Sequence, residues 1–203
     1  MIIKKIIRRY GFYGIISLMF DYIKTKIIYK RWNPRLIRSG SKIRGAKSID
    51  IGNNFSAGFH LRIDAFGNND SQIQIGNDVS VGDDVHITSI KKVVIGKNTL
   101  LASKIYISDH NHGVYSGSMQ SNPKEIINKR TLGQKDVIIG ENVWIGEFVS
   151  ILPGVRLGNN SIIGSNSVVC HNIPENSIAV GIPAKVIKVW NESDEKWIKN
   201  ISS

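Results

Sequence analysis

A six-residue repeat occupies most of this chain. Each unit begins with an aliphatic residue, often followed by Gly and then by Asn or Asp, and its fifth residue is usually aliphatic, Ser or Thr. The longest uninterrupted run, residues 139–174, reads IGENVW, IGEFVS, ILPGVR, LGNNSI, IGSNSV and VCHNIP. This period is neither that of a helix nor that of a simple alternating strand. A fixed short repeat indicates a stacked solenoid.

Each repeat unit can supply one short strand and one turn. We expect its first and fifth residues to point inward, and the intervening Gly, Asn and Asp to supply turn conformations. Three units would close one triangular coil, and successive coils would stack at the parallel-strand spacing of about 4.8 Å. The 15 units between residues 51 and 174 therefore predict an all-β solenoid of about five coils.

The positive charge is concentrated at the N-terminus. Residues 1–50 contain 13 Lys or Arg and two acidic residues, whereas the two signs balance in residues 51–203. Ile, Phe and Tyr interleave with the basic residues, which predicts one or two amphipathic basic helices broken near Gly11 or Gly14. Two interpretations stay open: contact with an anionic membrane or lipid-linked substrate, or a helix packed on the body of the protein. Nucleic-acid binding is disfavoured because no recognition motif accompanies the charge.

The sequence favours a cytoplasmic location. The single cysteine, Cys170, cannot form a disulfide within the chain. The apolar run at residues 10–20 is shorter than the roughly 20 residues that span a bilayer, and no small-residue cleavage site follows it. Membrane contact, under the first interpretation of residues 1–50, would therefore be peripheral and at the inner face.

A polar segment, residues 108–136, interrupts the repeat. It begins SDHNHGVYSG and carries His110 and His112. Imidazole suits a group that must both accept and return a proton near neutral pH. A zinc site would instead need three converging protein ligands, for which the candidates are His86, His110 and His112.

The chain resembles the hexapeptide-repeat acyltransferases, in their sugar O-acetyltransferase branch. The resemblance rests on the repeats, on DHNH, on NKRTLGQKDVIIGENVWIG (128–146) and on the turn GIPAKVI (181–187). It implies a left-handed parallel β-helix catalytic domain over residues 51–190. Residues 1–50 would precede this domain as the basic segment. Residues 191–203 are expected to form a short C-terminal helix, packed through Trp190, Trp197 and Ile198.

The resemblance also implies the chemistry. Such enzymes transfer an acetyl group directly from acetyl-CoA to a sugar hydroxyl, often in a cell-surface glycan or its precursor, without a metal. Their active sites lie between the subunits of a homotrimer. His110 matches the family's general base, His112 is its competitor, and Trp144 would wall the cleft that holds both substrates.

The resemblance also implies further site residues, which are assigned from their positions in the matching motifs. The groove for coenzyme A would be lined, besides Trp144, by Gly146, Ser165, Cys170, His171, Lys185 and Lys188. Glu147, Cys170–His171 and Ile182 depart from residues frequent in the family. Asp83 and Asp84 are interpreted either as groups that hold the acceptor hydroxyl or as turn residues.

Three other functions are compatible with a hexapeptide solenoid. An amino-sugar N-acetyltransferase could use the same histidine. A metal enzyme like the γ-class carbonic anhydrases would need three shared histidines, but the spacing of His86, His110 and His112 does not match that family. A non-catalytic trimeric scaffold has no need for a histidine-bearing loop, and it should not bind acetyl-CoA.

Overall fold

The computed structural model describes residues 2–67 and 72–200, and leaves out the side chains of residues 2–7 and 9. Asn68, which ends the third predicted repeat unit, lies outside the described residues. Residues 201–203, the end of the predicted C-terminal helix, also lie outside them.

One helix, α1 (Ile2–Ile28), precedes a succession of short strands. The strands are β1 (Leu36–Ile37), β2 (Lys42–Arg44), β3 (Ile49–Ile51), β4 (Ser56–Ala57), β5 (Arg62–Ala65), β6 (Ile73–Ile75), β7 (Ser80–Val81), β8 (His86–Ser89), β9 (Val93–Ile95), β10 (Leu100–Leu101), β11 (Tyr106–Ser108), β12 (His110–Asn111), β13 (Gly133–Gln134), β14 (Val137–Ile139), β15 (Trp144–Ile145), β16 (Ser150–Ile151), β17 (Arg156–Leu157), β18 (Ile162–Ile163), β19 (Val168–Val169), β20 (Ser177–Gly181), β21 (Ala184–Asn191) and β22 (Lys196–Lys199). Two single-turn 3-10 helices lie at Ala46–Ser48 and Ile127–Lys129.

The strands form three sheets that wrap around one core. The first sheet has the order β1-β4-β7-β10-β15-β18-β20-β21-β22, the second β19-β16-β11-β8-β5-β2, and the third β17-β14-β9-β6-β3. Within the coils all neighbours are parallel, since each strand pairs with the equivalent strand one coil away. The turn from the first sheet to the second is called the first corner, and the turn from the second sheet to the third is the second corner. The turn from the third sheet back to the first is the third corner.

The repeat predicts the core correctly. In the last unbroken run the first and fifth residues of every unit are buried: Ile139, Val143, Ile145, Val149, Ile151, Val155, Leu157, Ser161, Ile163, Ser167, Val169 and Ile173. The aliphatic members stack with their counterparts in adjacent coils, so one continuous apolar core runs along the solenoid.

The corners explain the remaining repeat positions. In most units the fourth residue has a positive φ, as at Asn98 (59°) and Asn142 (56°), and Asn tolerates this conformation better than most residues. The second residue is Gly for a different reason. A Cβ on Gly96 would lie 2.4 Å from the carbonyl oxygen of Gly140 in the next coil, so glycine permits the close approach of coils.

The solenoid is longer than predicted, and it begins within the segment assigned to residues 1–50. Seven parallel strands of the first sheet are present among the described residues, from β1 to β20, instead of about five coils starting at residue 51. The first coil buries Ile37 and Ile49 and packs Ile43 against the core, but it lacks the Gly-Asn corners that mark later units.

The N-terminal segment is helical, as predicted, and packs on the first coil. The helix is kinked at Gly11, whose φ is 64° and ψ 177°. The Thr25 hydroxyl donates to the Ile37 carbonyl at 3.1 Å and accepts from the Ile37 N–H at 2.9 Å. Buried Asp21 pairs with Arg38 at 3.0 Å. These contacts fix α1 against the edge strand β1.

The predicted C-terminal helix is wrong over the described residues. Strands β20, β21 and β22 form an antiparallel meander instead. Asn191 closes the β21–β22 turn by accepting from the backbone N–H groups of Ser193 and Asp194. The predicted packing of Trp190 and Trp197 is present, with ring centroids 5.5 Å apart, but it occurs across a strand pair.

Candidate active site

His110 lies where the solenoid opens at the second corner. Strand β11 ends at Ser108, the chain bends at Asp109, and β12 then pairs antiparallel with β13 at the return of the excursion. His110 faces Gln134 across this pair. The root of the 108–136 segment is therefore a fixed two-stranded element, although the segment itself leaves the coil.

The side chain of Asp109 holds His110. Asp109 Oδ1 lies 2.8 Å from His110 Nδ1, and the Asp109 side chain is fully buried. The His110 side chain is 13% exposed, so it is held by the protein and still reachable. Ser108 adds a second restraint, because its hydroxyl accepts from the His110 backbone N–H at 3.2 Å and donates to the His110 carbonyl at 3.0 Å.

The Asp109 carboxylate has further donors, which face mainly its second oxygen. Oδ2 accepts from the Ser89 hydroxyl at 2.6 Å and from the N–H groups of Lys91 and Lys92 at 2.8 and 2.7 Å. Oδ1 accepts from the Ile90 N–H at 3.1 Å in addition to facing His110. The carboxylate is therefore anchored in one orientation.

These contacts keep Asp109 ionised despite its burial. Burial alone would raise its pKa, but the hydrogen bonds from His110, Ser89 and the backbone outweigh it and lower the pKa below its ordinary value. An ionised carboxylate at Nδ1 keeps the proton on that nitrogen, which leaves Nε2 unprotonated in the neutral ring. Such a ring can accept a proton at Nε2, and the adjacent negative charge stabilises the imidazolium that results.

His112 has a different environment. Its side chain is exposed, and among the described residues its hydrogen bonding is confined to the backbone, where its carbonyl accepts from the Tyr115 hydroxyl at 2.5 Å. The structure gives an oriented imidazole at position 110 and a solvated one at position 112.

An open depression of about 500 Å³ lies beside the histidine strand. Its walls include Asn111 and Tyr115 from one side of the excursion, Gln134 and Lys135 from the other, and Pro153 from the next coil. The excursion thus builds a polar surface next to the second corner.

Asp83 and Asp84 lie at the first corner and are used within the fold. Asp83 accepts from the Phe59 backbone N–H at 2.7 Å, and Asp84 lies 3.1 Å from His60 Nδ1. Asp84 also has a φ of 56°. These are the contacts of turn residues that join adjacent coils.

The residues predicted to line the coenzyme A groove are divided between two edges. Trp144 is 51% exposed on the first sheet, Gly146 and Ser165 follow at the first corner, and Lys185 and Lys188 are exposed on the neighbouring β21.

Cys170 and His171 lie instead at the second corner. The strand register places them two coils beyond His110, which corresponds to about 10 Å. The sulfur of Cys170 lies 3.2 Å from His171 Nδ1. One chain therefore does not bring the seven residues into one groove.

Metal ligation finds no support in residues 2–67 and 72–200. No group of three His, Cys, Asp or Glu side chains there is arranged to hold a metal ion. His86, one of the three candidate ligands, instead places its Nε2 3.1 Å from Asp64.

Sequence reasoning missed Asp109 as a functional residue. The carboxylate precedes the histidine directly in SDHNH, but neighbours in an extended strand normally point to opposite sides. The bend at Asp109 turns both side chains toward each other.

The fold defines the class as a hexapeptide-repeat transferase. A family model described as bacterial transferase hexapeptide (six repeats) matches residues 136–171. The chain is 45% identical over 198 residues to the putative lipopolysaccharide biosynthesis O-acetyl transferase WbbJ of Escherichia coli strain K12, which covers 97% of this chain and 99% of that protein. It is 36% identical over 132 residues to the galactoside O-acetyltransferase of the same strain, covering 63% and 59% of the two chains.

Solved structures show the same fold. The N-acyltransferase AntD from Bacillus cereus, in complex with dTDP and 3-hydroxybutyryl-CoA, superposes with a TM-score of 0.69 at 18% identity, covering 86% of this chain and 92% of that one. A galactoside acetyltransferase in complex with coenzyme A gives a TM-score of 0.51 at 25% identity, covering 88% and 75%. The chain belongs to the left-handed β-helix hexapeptide-repeat family, in the branch of the sugar O-acetyltransferases.

Proposed function

We propose that this protein transfers an acetyl group from acetyl-CoA to a hydroxyl of a sugar, in a cell-surface glycan or its precursor. The observation that carries the proposal is the buried, ionised Asp109 that orients His110 at the opening of the coil. The similarity to WbbJ over nearly the whole chain supports the substrate class, because that relative is described as an O-acetyl transferase of lipopolysaccharide biosynthesis.

His110 is the general base and then the general acid. Its Nε2 takes the proton of the acceptor hydroxyl as the oxygen attacks the thioester carbonyl. When the tetrahedral intermediate collapses, the carbon–sulfur bond breaks and the imidazolium returns the proton to the departing thiolate. Asp109 stabilises the positive ring between these two transfers, which supports His110 over His112 as the base.

The coenzyme A groove lies between two subunits of a homotrimer in our proposal. Trp144, Ser165 and the two lysines occupy one edge of the chain, whereas His110 and Cys170 occupy another. Two chains packed side by side would bring one edge of each into a shared groove. Lys185 and Lys188 would then meet the phosphates of the nucleotide as point charges.

We also propose that α1 makes peripheral contact with an anionic membrane surface. Its outward stripe is apolar at helical spacing: Phe12, Ile16, Met19, Phe20, Ile23 and Ile27 are 72, 38, 60, 70, 53 and 70% exposed. The segment around it carries the excess of positive charge, which complements anionic lipid. No helix in the described part of the chain is long and apolar enough to cross a membrane.

The proposed reaction is tested with radiolabelled acetyl-CoA and a panel of sugars in matched pairs, one with a hydroxyl and one with an amine at the same carbon. We expect label to enter a hydroxyl-bearing sugar as an alkali-labile ester. Label that enters only the amine members, as an alkali-stable amide, would identify an N-acetyltransferase. If the protein neither binds acetyl-CoA nor consumes it, the remaining function is that of a non-catalytic scaffold.

A further inference from the structure

A cationic cluster lies on the outside of the second sheet, on the N-terminal side of the second corner, where His110 lies. It consists of Lys42, Arg44, Arg62, His86 and the carboxylate of Asp64. The register aligns Lys42, Arg62 and His86 in one row along the solenoid. A parallel row aligns Arg44, Asp64, Thr88 and Ser108, and Ser108 precedes the catalytic pair directly. The cluster and His110 therefore share one face of the protein.

Asp64 is the centre of this cluster. Its fully buried carboxylate accepts from Arg44 Nε and Nη2 at 2.6 and 2.8 Å, and from Arg62 Nε at 2.7 Å. His86 Nε2 lies 3.1 Å away. Arg44 also stacks over Phe66, with its guanidinium carbon 4.9 Å from the ring centroid. The two guanidinium groups are thereby held in fixed orientations.

Each arginine keeps donors that the fold does not use. The side chains of Arg44 and Arg62 are 50 and 48% exposed. Within residues 2–67 and 72–200 their hydrogen bonds go to Asp64 alone, so Nη1 of Arg44 and both terminal nitrogens of Arg62 have no acceptor there. A guanidinium has five N–H donors in a rigid fork. The unused ones are available to a ligand.

The charge of the cluster is not balanced. Arg44, Arg62 and Lys42 contribute three positive charges, and Asp64 contributes one negative charge. Burial lowers the pKa of His86 and opposes its protonation, while Asp64 acts in the other direction. The surplus near neutral pH is two positive charges, and the two guanidinium groups of the cluster are already oriented for an anion.

The position of the cluster fits an extended acceptor. Adjacent strands lie about 4.8 Å apart, so Asp64 is about 10 Å and Arg44 about 14 Å from Ser108 along the second sheet. An anionic group bound by the arginines would thus lie a short saccharide's length from the imidazole that receives the acceptor proton.

We infer that Arg44, Arg62 and Lys42 form a subsite for an anionic group of the acceptor, either a phosphate or a carboxylate. This inference rests on the proposed acetyl transfer, and it narrows the acceptor to an acidic saccharide or a saccharide carried on a phosphate. Asp64 acts as a positioning residue that orients the two guanidinium groups.

The test is calorimetric titration with inorganic pyrophosphate and, separately, glucuronate, at constant ionic strength and with coenzyme A saturating its own site. We expect the wild-type protein to bind at least one probe, and the preferred probe to separate a phosphate source from an acidic sugar. The triple variant Arg44→Gln/Arg62→Gln/Asp64→Asn removes the buried carboxylate with its partners, so no charge is left stranded. It should weaken binding by about tenfold or more.

Two further variants distinguish anion binding at the cluster from nonspecific attraction to other basic residues on the surface. The matched control Lys97→Gln/Arg156→Gln removes two exposed basic residues on another part of the surface and should leave pyrophosphate binding within about twofold of wild type. Asp64→Asn alone keeps both arginines but releases them from their fixed orientation. It should therefore weaken pyrophosphate binding, but by less than the triple variant does. Binding that is absent in wild type, or lost equally in the control, would overturn the inference, as would a loss in Asp64→Asn as large as that in the triple variant.

The readout is independent of acetyl transfer. Anion binding that requires the arginines, in a protein that transfers no acetyl group, would contradict the proposed function and leave the subsite. Transfer to a neutral sugar with no effect of the triple variant on its KM, together with no anion binding, would refute the subsite alone. A triple variant that changes its elution volume in size-exclusion chromatography would assign the cluster to subunit packing and overturn the inference.

Discussion

The substitution Asp109→Asn tests the catalytic geometry with the smallest possible change. Three donors face Asp109 Oδ2, namely the Ser89 hydroxyl and the N–H groups of Lys91 and Lys92, whereas Oδ1 receives one backbone donor besides His110. The oxygen of an asparagine would therefore keep the Oδ2 position. Its NH2 group would take the Oδ1 position, 2.8 Å from His110 Nδ1.

This orientation reverses the tautomer of the histidine. An NH2 donor facing Nδ1 needs that nitrogen unprotonated, so the proton moves to Nε2, the atom that must accept the acceptor's proton. Exchanging a carboxylate for an amide behind a catalytic histidine lowers kcat by up to about 10⁴-fold in the serine-protease triad. We expect a loss of about 10²–10⁴-fold here, which corresponds to about 3–5 kcal/mol of transition-state stabilisation.

The assay measures release of the coenzyme A thiol in the presence of the acceptor. The KM for acetyl-CoA should stay unchanged, because the Asp109 side chain is fully buried behind His110 and cannot touch a ligand. The buried site loses a charged acceptor, and the free energy of unfolding should fall by about 1–3 kcal/mol. Asp78→Asn, which changes an exposed corner residue that accepts from Asn54, is the matched control. A folded Asp109→Asn protein with kcat within a few-fold of wild type would refute the reasoning.

Four further outcomes are expected. His112→Ala should retain kcat within about tenfold, because this solvated imidazole lacks the carboxylate partner; a loss as large as that of Asp109→Asn, in the same thiol-release assay, would contradict the assignment. The pKa of Asp64 is lowered to about 2, because the hydrogen bonds from Arg44, Arg62 and His86 outweigh its burial, so its stabilisation is present above about pH 4 and lost as pH falls toward 2. Between pH 7 and pH 3 the wild type should lose about 1 kcal/mol of this stability, and Asp64→Asn should not; denaturant titrations at the two pH values measure the difference, and an unchanged pH dependence would count against the pairing. Ile151→Ala should cost about 2–5 kcal/mol by the same titration, against almost nothing for the exposed Glu147→Ala. Phe20→Glu should abolish co-sedimentation with anionic vesicles without changing the solution fold. Wild-type protein that binds neutral and anionic vesicles equally would show that its positive charge does not contribute to binding.

The core of the solenoid is predictable because every repeat unit carries its inward-facing residues at the same two places. Ile139 and Val143 occupy the first and fifth places of one unit, and both are buried, as are the same places of the following units. Coils close and stack only if these places stay small or apolar and point inward, so the pattern and the packing are the same constraint.

The sequence does not predict the first coil, because this coil has the aliphatic residues of the repeat but not its Gly-Asn corners. Ile37, Ile43 and Ile49 are six residues apart, as in later coils, and they contribute to the core. The second place of the first two units holds arginine, Arg38 and Arg44, where later units have Gly, and the corner glycines Gly40 and Gly45 stand at the fourth and third places instead. The contact with α1 supports this coil from outside, and a helix packed on an edge strand leaves no period in the sequence.

The C-terminal residues form antiparallel strands where the sequence analysis predicts a helix. Residues 184–199 alternate short apolar and polar stretches, which permits strands, and Asn191 supplies the turn. The tryptophans were correctly identified as packing residues, but spacing alone did not distinguish a helix from a hairpin. Likewise, the contact of Asp109 with His110 depends on one bend of the backbone, which the letters SDHNH do not specify.

The most direct test of the account is the activity of His110→Ala, measured together with its binding of acetyl-CoA. At 100 times its dissociation constant, the acyl donor should stabilise wild type and variant alike by roughly 2.7 kcal/mol in thermal unfolding. The account predicts that the variant keeps this stabilisation and loses acetyl transfer by about 10²–10⁴-fold. A variant that binds acetyl-CoA and still transfers acetyl at the wild-type rate would contradict the assignment of His110 as the base.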